Sequence, residues 1–393
     1  MSGSQTHVCP LVPLQPLPRW TADLPGCGGN IRVAVEDFEV EEIPLYLPAG
    51  AGDHLYLWIE KIDVAGETLR RHVARALDMS GGDVGMAGLK DRRAVTRQWL
   101  SVPRDREPRL GQIESDRVHV LDVQAHRNKL RTGHLAGNRF RIRIRGVVED
   151  AAALLEAKLA RIAQTGLPNF YGSQRMGHGG STLAAGWALT QGMTRTVQVR
   201  TPDDVVHSLH LADRPLRRLA ASAIQSEVFN RTLARRMELG ILRQVLDGDV
   251  CKKTDTGGVF VTEDVAREQR RLEAGEIVVT GPMWGPKMTR ALREAGELEA
   301  EVLRIFGMQP ADFAALGHLA EGTRRPATVQ PGEVGLEVDG DSAVVTFTLP
   351  AGSFATGLIH ELVGPSAALA QTDFAEDEDS AAGNLAGGEV PCA

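Results

Sequence analysis

From Asn138 to Arg145 the chain alternates one residue type with another: Arg139, Arg141, Arg143 and Arg145 are interleaved with Phe140, Ile142 and Ile144. Only an extended strand, whose side chains point to opposite faces in turn, separates such a pattern into two clean faces. A helix would mix the two sets. The chain must therefore contain a sheet with one apolar face and one strongly cationic face. The apolar face has to be covered; the guanidinium row is suited to phosphates, and a half-buried strand with a solvated face and Phe140 as ordinary core would show the same pattern.

A second stretch, Gly88-Leu89-Lys90-Asp91-Arg92-Arg93-Ala94-Val95-Thr96-Arg97-Gln98, sets one carboxylate among four cations: Lys90, Arg92, Arg93 and Arg97. It follows the apolar run Val84 to Leu89, which reads as a strand end, and loops at strand ends are where rigid scaffolds hold reactive groups. Opposite charge at close range favours an ionised carboxylate. That makes Asp91 a poor general acid and a candidate nucleophile or base. A surface ion-pair cluster would show the same composition.

The net charge of −7 argues at first against a polyanionic partner. Six of the acids, however, lie in residues 364–393, where there is no lysine or arginine, so the rest of the chain carries only −1. Val123 to Val148 holds seven cations (Arg127, Lys129, Arg131 and the four strand arginines) and no acid. Such a local excess fits an electrostatic footprint for an anionic polymer, and a solvated basic face would show the same charge pattern.

Length and composition bound the remaining possibilities. A chain of 393 residues with 42% hydrophobic and 24% charged residues suggests two globular domains. No apolar run approaches the roughly 18 residues that cross a bilayer. Four cysteines, at 9, 27, 251 and 392, are too scattered for a zinc site or disulfide framework. A cytoplasmic protein is expected. There is no phosphate-binding GxGxxG or GxxxxGK[ST] and no HExxH or CxxC, so neither a cofactor nor a metal is expected, and a nucleotide-binding metabolic enzyme is disfavoured.

Pattern reading gives strands at Ile31 to Leu47, His54 to Lys61, Val84 to Leu89, Gln98 to Val102, Arg117 to Gln124 and Asn138 to Gly146. Helices are expected at Glu67 to Leu77 and Ala151 to Thr165. After a glycine-rich stretch (Gly166 to Gly180), helices are expected at Pro215 to Leu239 and Thr289 to Phe306, with short strands at Gly257 to Thr262 and Ile277 to Thr280. A late strand, Gly340 to Leu349, could rejoin the first sheet and make the middle an insertion; a helix at Ala355 to Leu362 follows it. Phe170 and Tyr171, in Pro168-Asn169-Phe170-Tyr171-Gly172-Ser173-Gln174-Arg175-Met176-Gly177, could offer stacking surfaces to splayed bases or belong to a hinge.

Together these motifs resemble the TruD family of tRNA pseudouridine synthases. The Asp91 stretch is similar to the family's GLKDRxAxTxQ motif, Gly137 to Phe140 to its GNxF motif, and Pro168 to Gly177 to PNxxGxQRFG with Met176 for phenylalanine. Glu36-Asp37-Phe38 with Val40-Glu41-Glu42 resembles EDFxVxE, Gln225 to Asn230 resembles QSxxFN, and Gly281-Pro282 with Gly285-Pro286 resembles TGPxxG. Leu349 to Thr356 resembles LPxGSYAT, and His360 stands where the family often has arginine. The matches run collinearly from about residue 29 to 363.

The resemblance implies an isomerase that converts a tRNA uridine, uridine-13 of the D-arm, to pseudouridine without cofactor or metal. Asp91 would be the catalytic carboxylate, Phe140 would pack on the target base and Asn138 would help hold the aspartate. Arg32 would occupy the basic active-site position, Arg32 or Lys90 would keep Asp91 ionised, and both would belong with Phe140 and Asn138 to the substrate-binding set. The implied fold is α+β. A mixed-sheet catalytic domain is built from 29–165 and 323–363, and an inserted α/β TRUD domain (166–322) forms the other wall of an RNA cleft. A poorly ordered leader (1–28) and an acidic disordered tail (364–393) would flank them. A non-catalytic structured-RNA binder, or a tRNA folding factor on the same scaffold, is the alternative.

Overall fold

The computed structural model describes residues 7–9, 14, 16–202 and 206–365. It divides into two compact units, one over 23–164 and 330 onward, the other over 165–329 with the residues before 23. The expected acidic tail lies outside the described residues beyond Pro365.

The first unit is organised on a nine-stranded mixed sheet. Its long strands are β1 (Phe38–Pro44), β2 (His54–Ile62), β3 (Val95–Pro103), β4 (Val118–His126), β5 (Leu135–Arg145), β6 (Gly332–Asp339) and β7 (Ser342–Pro350). Their spatial order is β6-β7-β5-β1-β3-β2-β4, with the short strands Asn30–Ile31 on β5 and Gly85–Met86 on β3. Only β1 and β3 pair in parallel; the other pairings are antiparallel. The late strand does rejoin the first sheet, with Ser342 to Pro350 opposite Arg145 to Gly137. Glycine is required at 137, because a Cβ there would lie 2.3 Å from the Leu349 carbonyl oxygen.

Helices α1 (Gly66–Ala76), α2 (Ala151–Thr165) and α3 (Ala355–Val363) belong with this sheet. Leu69 and Val73 of α1 pack with Leu55, Leu57, Ile59, Leu100 and Val102, so the 3.6-residue stripe of the helix meets the period-two face of β2 and β3. Lys158 of α2 is fully buried and donates to the Glu361 carbonyl on α3.

The opposite face of the sheet corrects one expectation. The arginines of β5 do not form an open row. Arg139 pairs with Glu41 at 2.8 Å and Glu333 at 2.9 Å, Arg141 with Glu39 at 2.9 Å, and Arg145 with Asp37 at 2.7 Å. Arg97 of β3 joins the same ladder through Glu60 at 2.8 Å. The cause is register: Glu39 and Glu41 of β1 sit directly opposite Arg141 and Arg139. Cross-strand opposite charges stabilise each other, and here they cancel most of the strand's cationic field.

Residues 16–28 also differ from the expected poorly ordered leader. Thr21 and Cys27 are fully buried, Trp20 Nε1 donates to Thr165 Oγ1 at 2.8 Å, and the Cys27 amide donates to the Leu362 carbonyl at 3.0 Å. Burial pushes the Cys27 thiol up to about 11.

The second unit packs Ser181–Thr190 and Arg214–Glu238 with a four-stranded sheet ordered Val259–Val261, Val250–Lys253, Ile277–Met283, Thr323–Pro326. Residues 323–329, expected in the catalytic domain, belong here: Thr323–Pro326 pairs with Met283 to Thr280, and Thr328–Val329 with Pro168 and Leu167. Two buried ion pairs cross this unit, Arg324 with Glu299 at 2.6 Å and Arg236 with Asp249 at 2.9 Å. Burial pushes the Glu299 carboxyl up, and the Arg324 guanidinium opposes that shift.

The two kinds of ion pair should respond differently to truncation. Arg141→Gln removes a half-exposed rung and should cost under about 1 kcal/mol in chemical denaturation. Arg324→Met strands the buried Glu299 carboxylate and should cost about 3–5 kcal/mol. Equal costs would contradict the assignment of one pair to surface and the other to core.

Candidate active site

Asp91 lies in an irregular segment between Gly85–Met86 and Val95–Pro103, so the expected strand to Leu89 ends early. Its side chain is 30% exposed, while the groups beneath it are buried. Lys61 Nζ donates to the Asp91 carbonyl oxygen at 2.6 Å and fixes the backbone of the segment. Arg32 Nη2 stands 3.6 Å from Asp91 Oδ1.

Each of these cations is placed by a sheet element. Leu55, Leu57 and Ile59 of β2 point into the core, and Lys61 is the next residue in that phase. A lysine therefore stands where the alternation calls for an apolar side chain, and its ammonium is drawn to the loop carbonyl. Arg32 follows Asn30–Ile31, which pairs with Arg145 and Ile144 of β5. Its backbone has φ +56°, a left-handed conformation that non-glycine residues rarely adopt. Such strain persists only where surrounding contacts over-determine it, and it concentrates at functional sites. The Arg32 guanidinium lies 4.0 Å over the Phe38 ring, a cation–π contact.

From Phe38 the site continues along the same face. The Phe38 and Phe140 rings meet edge to face at 6.4 Å, and Phe140 stacks on Phe347 at 5.2 Å. These contacts follow from register, since Val40, Phe140 and Phe347 occupy one row across β1, β5 and β7. The adjacent row is Glu42, Asn138 and Leu349. Glu42 is buried and pairs with Lys90 Nζ at 3.0 Å. Burial pushes the Glu42 carboxyl up, and the Lys90 charge pulls part of that shift back. Thr96 Oγ1, both amide atoms of Gln98 and Asn138 Oδ1 are buried in the same region without hydrogen-bond partners. Buried polar atoms left unpaired are costly, so a cluster of them marks a part of the core not built for stability alone.

The structure thus gathers Asp91, Arg32, Lys90, Asn138 and Phe140 around one face and edge of the sheet, with two qualifications. The four loop cations do not all surround Asp91. Lys90 turns to Glu42, Arg97 to Glu60 and Arg92 toward Asp63 at 3.9 Å, while Arg93 is exposed. Adjacency in sequence gave way to the local acids: the irregular segment turns Lys90 and Arg92 to different carboxylates, and only Arg97 is directed by strand β3. Asn138 makes no hydrogen bond to Asp91; it sits opposite Glu42, one partner removed from Lys90. Lys61 was missed on sequence although its phase in β2 marked it.

In the second unit, Phe170 and Tyr171 are buried, so they are not open stacking surfaces. Tyr171 is covered by the Arg325 guanidinium at 4.0 Å and meets Phe229 edge to face at 5.8 Å. Asn230 of the QSxxFN stretch closes on the Tyr171 backbone from both sides, accepting from its amide and donating to its carbonyl, each at 2.9 Å. Met176 is buried where phenylalanine is usual, so it fills that space.

Among the described residues no group of His, Cys, Asp and Glu side chains could hold a metal ion, and no helix is long and apolar enough to cross a membrane. A sequence model of the family described as tRNA pseudouridine synthase D (TruD) matches residues 17–198 and 188–362. The chain is 46% identical over 353 residues to tRNA pseudouridine synthase D of Anaeromyxobacter dehalogenans, covering 90% of this chain and 98% of that one. It is 42% identical over 351 residues to the protein of that name in Thermus thermophilus, covering 88% and 92%. It is also similar to the crystal structure of a putative tRNA pseudouridine synthase D from Methanosarcina mazei, with a TM-score of 0.68, 26% identity, and coverage of 88% of this chain and 96% of that one. This chain belongs to the tRNA pseudouridine synthase D (TruD) family.

Proposed function

We propose that the protein isomerises a uridine of tRNA, uridine-13 of the D-arm, to pseudouridine, with Asp91 as the catalytic carboxylate. The observation that carries this reading is a half-exposed aspartate on a loop whose backbone and neighbours are fixed from below by buried cations. Membership of the family supports the reaction class.

The reaction breaks the N1–C1′ glycosidic bond, turns the base, and forms a C5–C1′ bond. The hydrogen on C5 leaves and N1 takes one up, so atoms and electrons balance without a co-reactant. A uridine inside a stacked arm hides C1′ and C5, so the nucleotide must leave its stack first. Whether the carboxylate adds to C1′, adds to the base or takes a sugar proton, it must stand at the sugar in a fixed position. Lys61 and Arg32 supply that fixity: one holds the Asp91 carbonyl, the other faces its carboxylate. Preorganised charge of this kind needs no rearrangement as the reaction proceeds.

In this reading Phe140 is the ring that supports the flipped base, itself backed by Phe347 and Phe38. Lys90, the residue before Asp91, is held in the core by Glu42, and Asn138 borders the same pair. An apolar ring and buried cations beneath Asp91 suit one positioned nucleotide better than they suit uniform binding of RNA.

Tritium release from C5-labelled uridine in tRNA transcripts tests the assignment. Asp91→Asn should lower release by at least about 10³-fold while tRNA binding persists; equal release by both proteins contradicts it. Absence of release from the unsubstituted protein, with tRNA still bound, would favour the RNA-binder reading. Lys61→Met should reduce kcat about 10–100-fold with little change in Kd for tRNA, because it loosens the loop rather than removing a contact to RNA. A fall in thermal stability with kcat unchanged would make Lys61 merely structural.

A further inference from the structure

The seven-cation stretch splits into two halves with different fates. In the strand half, Arg139, Arg141 and Arg145 are neutralised by Glu39 and Glu41 of β1, Glu333 of β6 and Asp37 just before β1. The other half, residues 127–134, is the crossover that leaves the edge strand β4 and returns to β5 in the middle of the sheet. There Arg127 and Arg131 are exposed, and among the described residues neither has a carboxylate within ion-pair distance.

This crossover is built rigidly. Tyr46 clamps both of its ends, stacking on His126 at 5.3 Å and hydrogen-bonding His134 Nδ1 through its hydroxyl at 2.6 Å. Leu130 is buried, and its amide donates to Ser101 Oγ at 2.8 Å. The Gly133 amide donates to the Ala87 carbonyl at 2.8 Å, and Lys129 Nζ donates to the Gly82 carbonyl. Gly85 has no side chain to hold the crossover off: a Cβ there would lie 2.4 Å from the Leu130 carbonyl oxygen. The crossover is therefore docked on the segment that runs into the catalytic loop. Ala87 precedes Asp91 by four residues, so the two Cα atoms are at most about 14 Å apart.

We infer that the 127–134 crossover is a phosphate-binding element, in which Arg127 and Arg131 grip the RNA backbone flanking the flipped uridine and set its register over Asp91. Arginine forks match phosphate oxygens, and phosphate contacts position a nucleic acid without reading its sequence. A preorganised loop loses little conformational freedom when it binds. Lys129 is spent on anchoring rather than on the ligand. The inference rests on the reading of the protein as a tRNA-modifying enzyme and extends it to a surface distinct from Asp91 itself.

The test compares two double variants of equal charge change, Arg127→Gln/Arg131→Gln and Arg139→Gln/Arg141→Gln, by Kd for an unmodified tRNA transcript across a salt series. The crossover variant should bind about tenfold or more weakly at low salt. Its slope of log Kd against log salt should be shallower by about 1.5–2, the signature of two lost phosphate contacts. The ladder variant should keep the slope of the unsubstituted protein. An unchanged slope in the crossover variant, or the same loss in both variants, overturns the inference. Tritium release by the unsubstituted protein is scored separately, so failure of the reaction class is not confused with failure of the crossover.

Discussion

Strand β5 carries the fold. Its backbone is bonded to β1 on one side and to β7 on the other, which ties residues near the start of the chain to residues more than 300 positions later. That arrangement is stable because each face of the strand is satisfied differently. Phe140, Ile142 and Ile144 are buried in the core, while Arg139, Arg141 and Arg145 meet carboxylates supplied by its neighbours. A one-residue slip would bury guanidinium groups and expose the aromatic row, so register here is strongly specified. The same register sets Asn138 opposite Glu42 and Phe140 opposite Phe347. Scaffold and site are thus consequences of one pairing.

Much of this was legible in the amino-acid order because it depends on local periodicity. The alternation of 139–145 specifies a two-faced strand, and the spacing of Leu69 and Val73 specifies the helix that covers β2. Pairing partners were less legible. Glu39 and Glu41 alternate as plainly as the arginines do, yet nothing local says that they lie opposite residues a hundred positions away. The arginine row therefore read as open when it is closed. Proximity in sequence misled in the Asp91 loop, where Lys90, Arg92 and Arg97 are drawn to different acids. Lys61 carried a signal in its phase along β2, but its meaning depends on a loop that begins some twenty-five residues later. The aromatics at 170 and 171 show the same limit, since only tertiary packing reveals that Arg325 and Phe229 cover Tyr171.

The electrostatic picture is one of sorting rather than excess. Acids are matched to cations wherever the sheet surface would otherwise be strongly positive, leaving cationic groups under Asp91 and on the adjoining crossover. A near-neutral body with a few placed cations suits selective engagement of a polyanion better than a uniformly basic surface, which binds any nucleic acid through counterion release. Buried polar atoms at Thr96, Gln98 and Asn138, together with the left-handed Arg32, add local cost beside the same loop. Departures from stability-optimal packing commonly accompany function, and here they fall together.

The central claim concerns where the chemistry happens on the RNA as much as which residue performs it. Mapping the product by carbodiimide labelling and primer extension on a tRNA transcript incubated with the protein tests it most directly. The account predicts a single labelled position, residue 13 of the D-arm, with the mass of the RNA unchanged. Labelling at another uridine, at many uridines, or at none would contradict it.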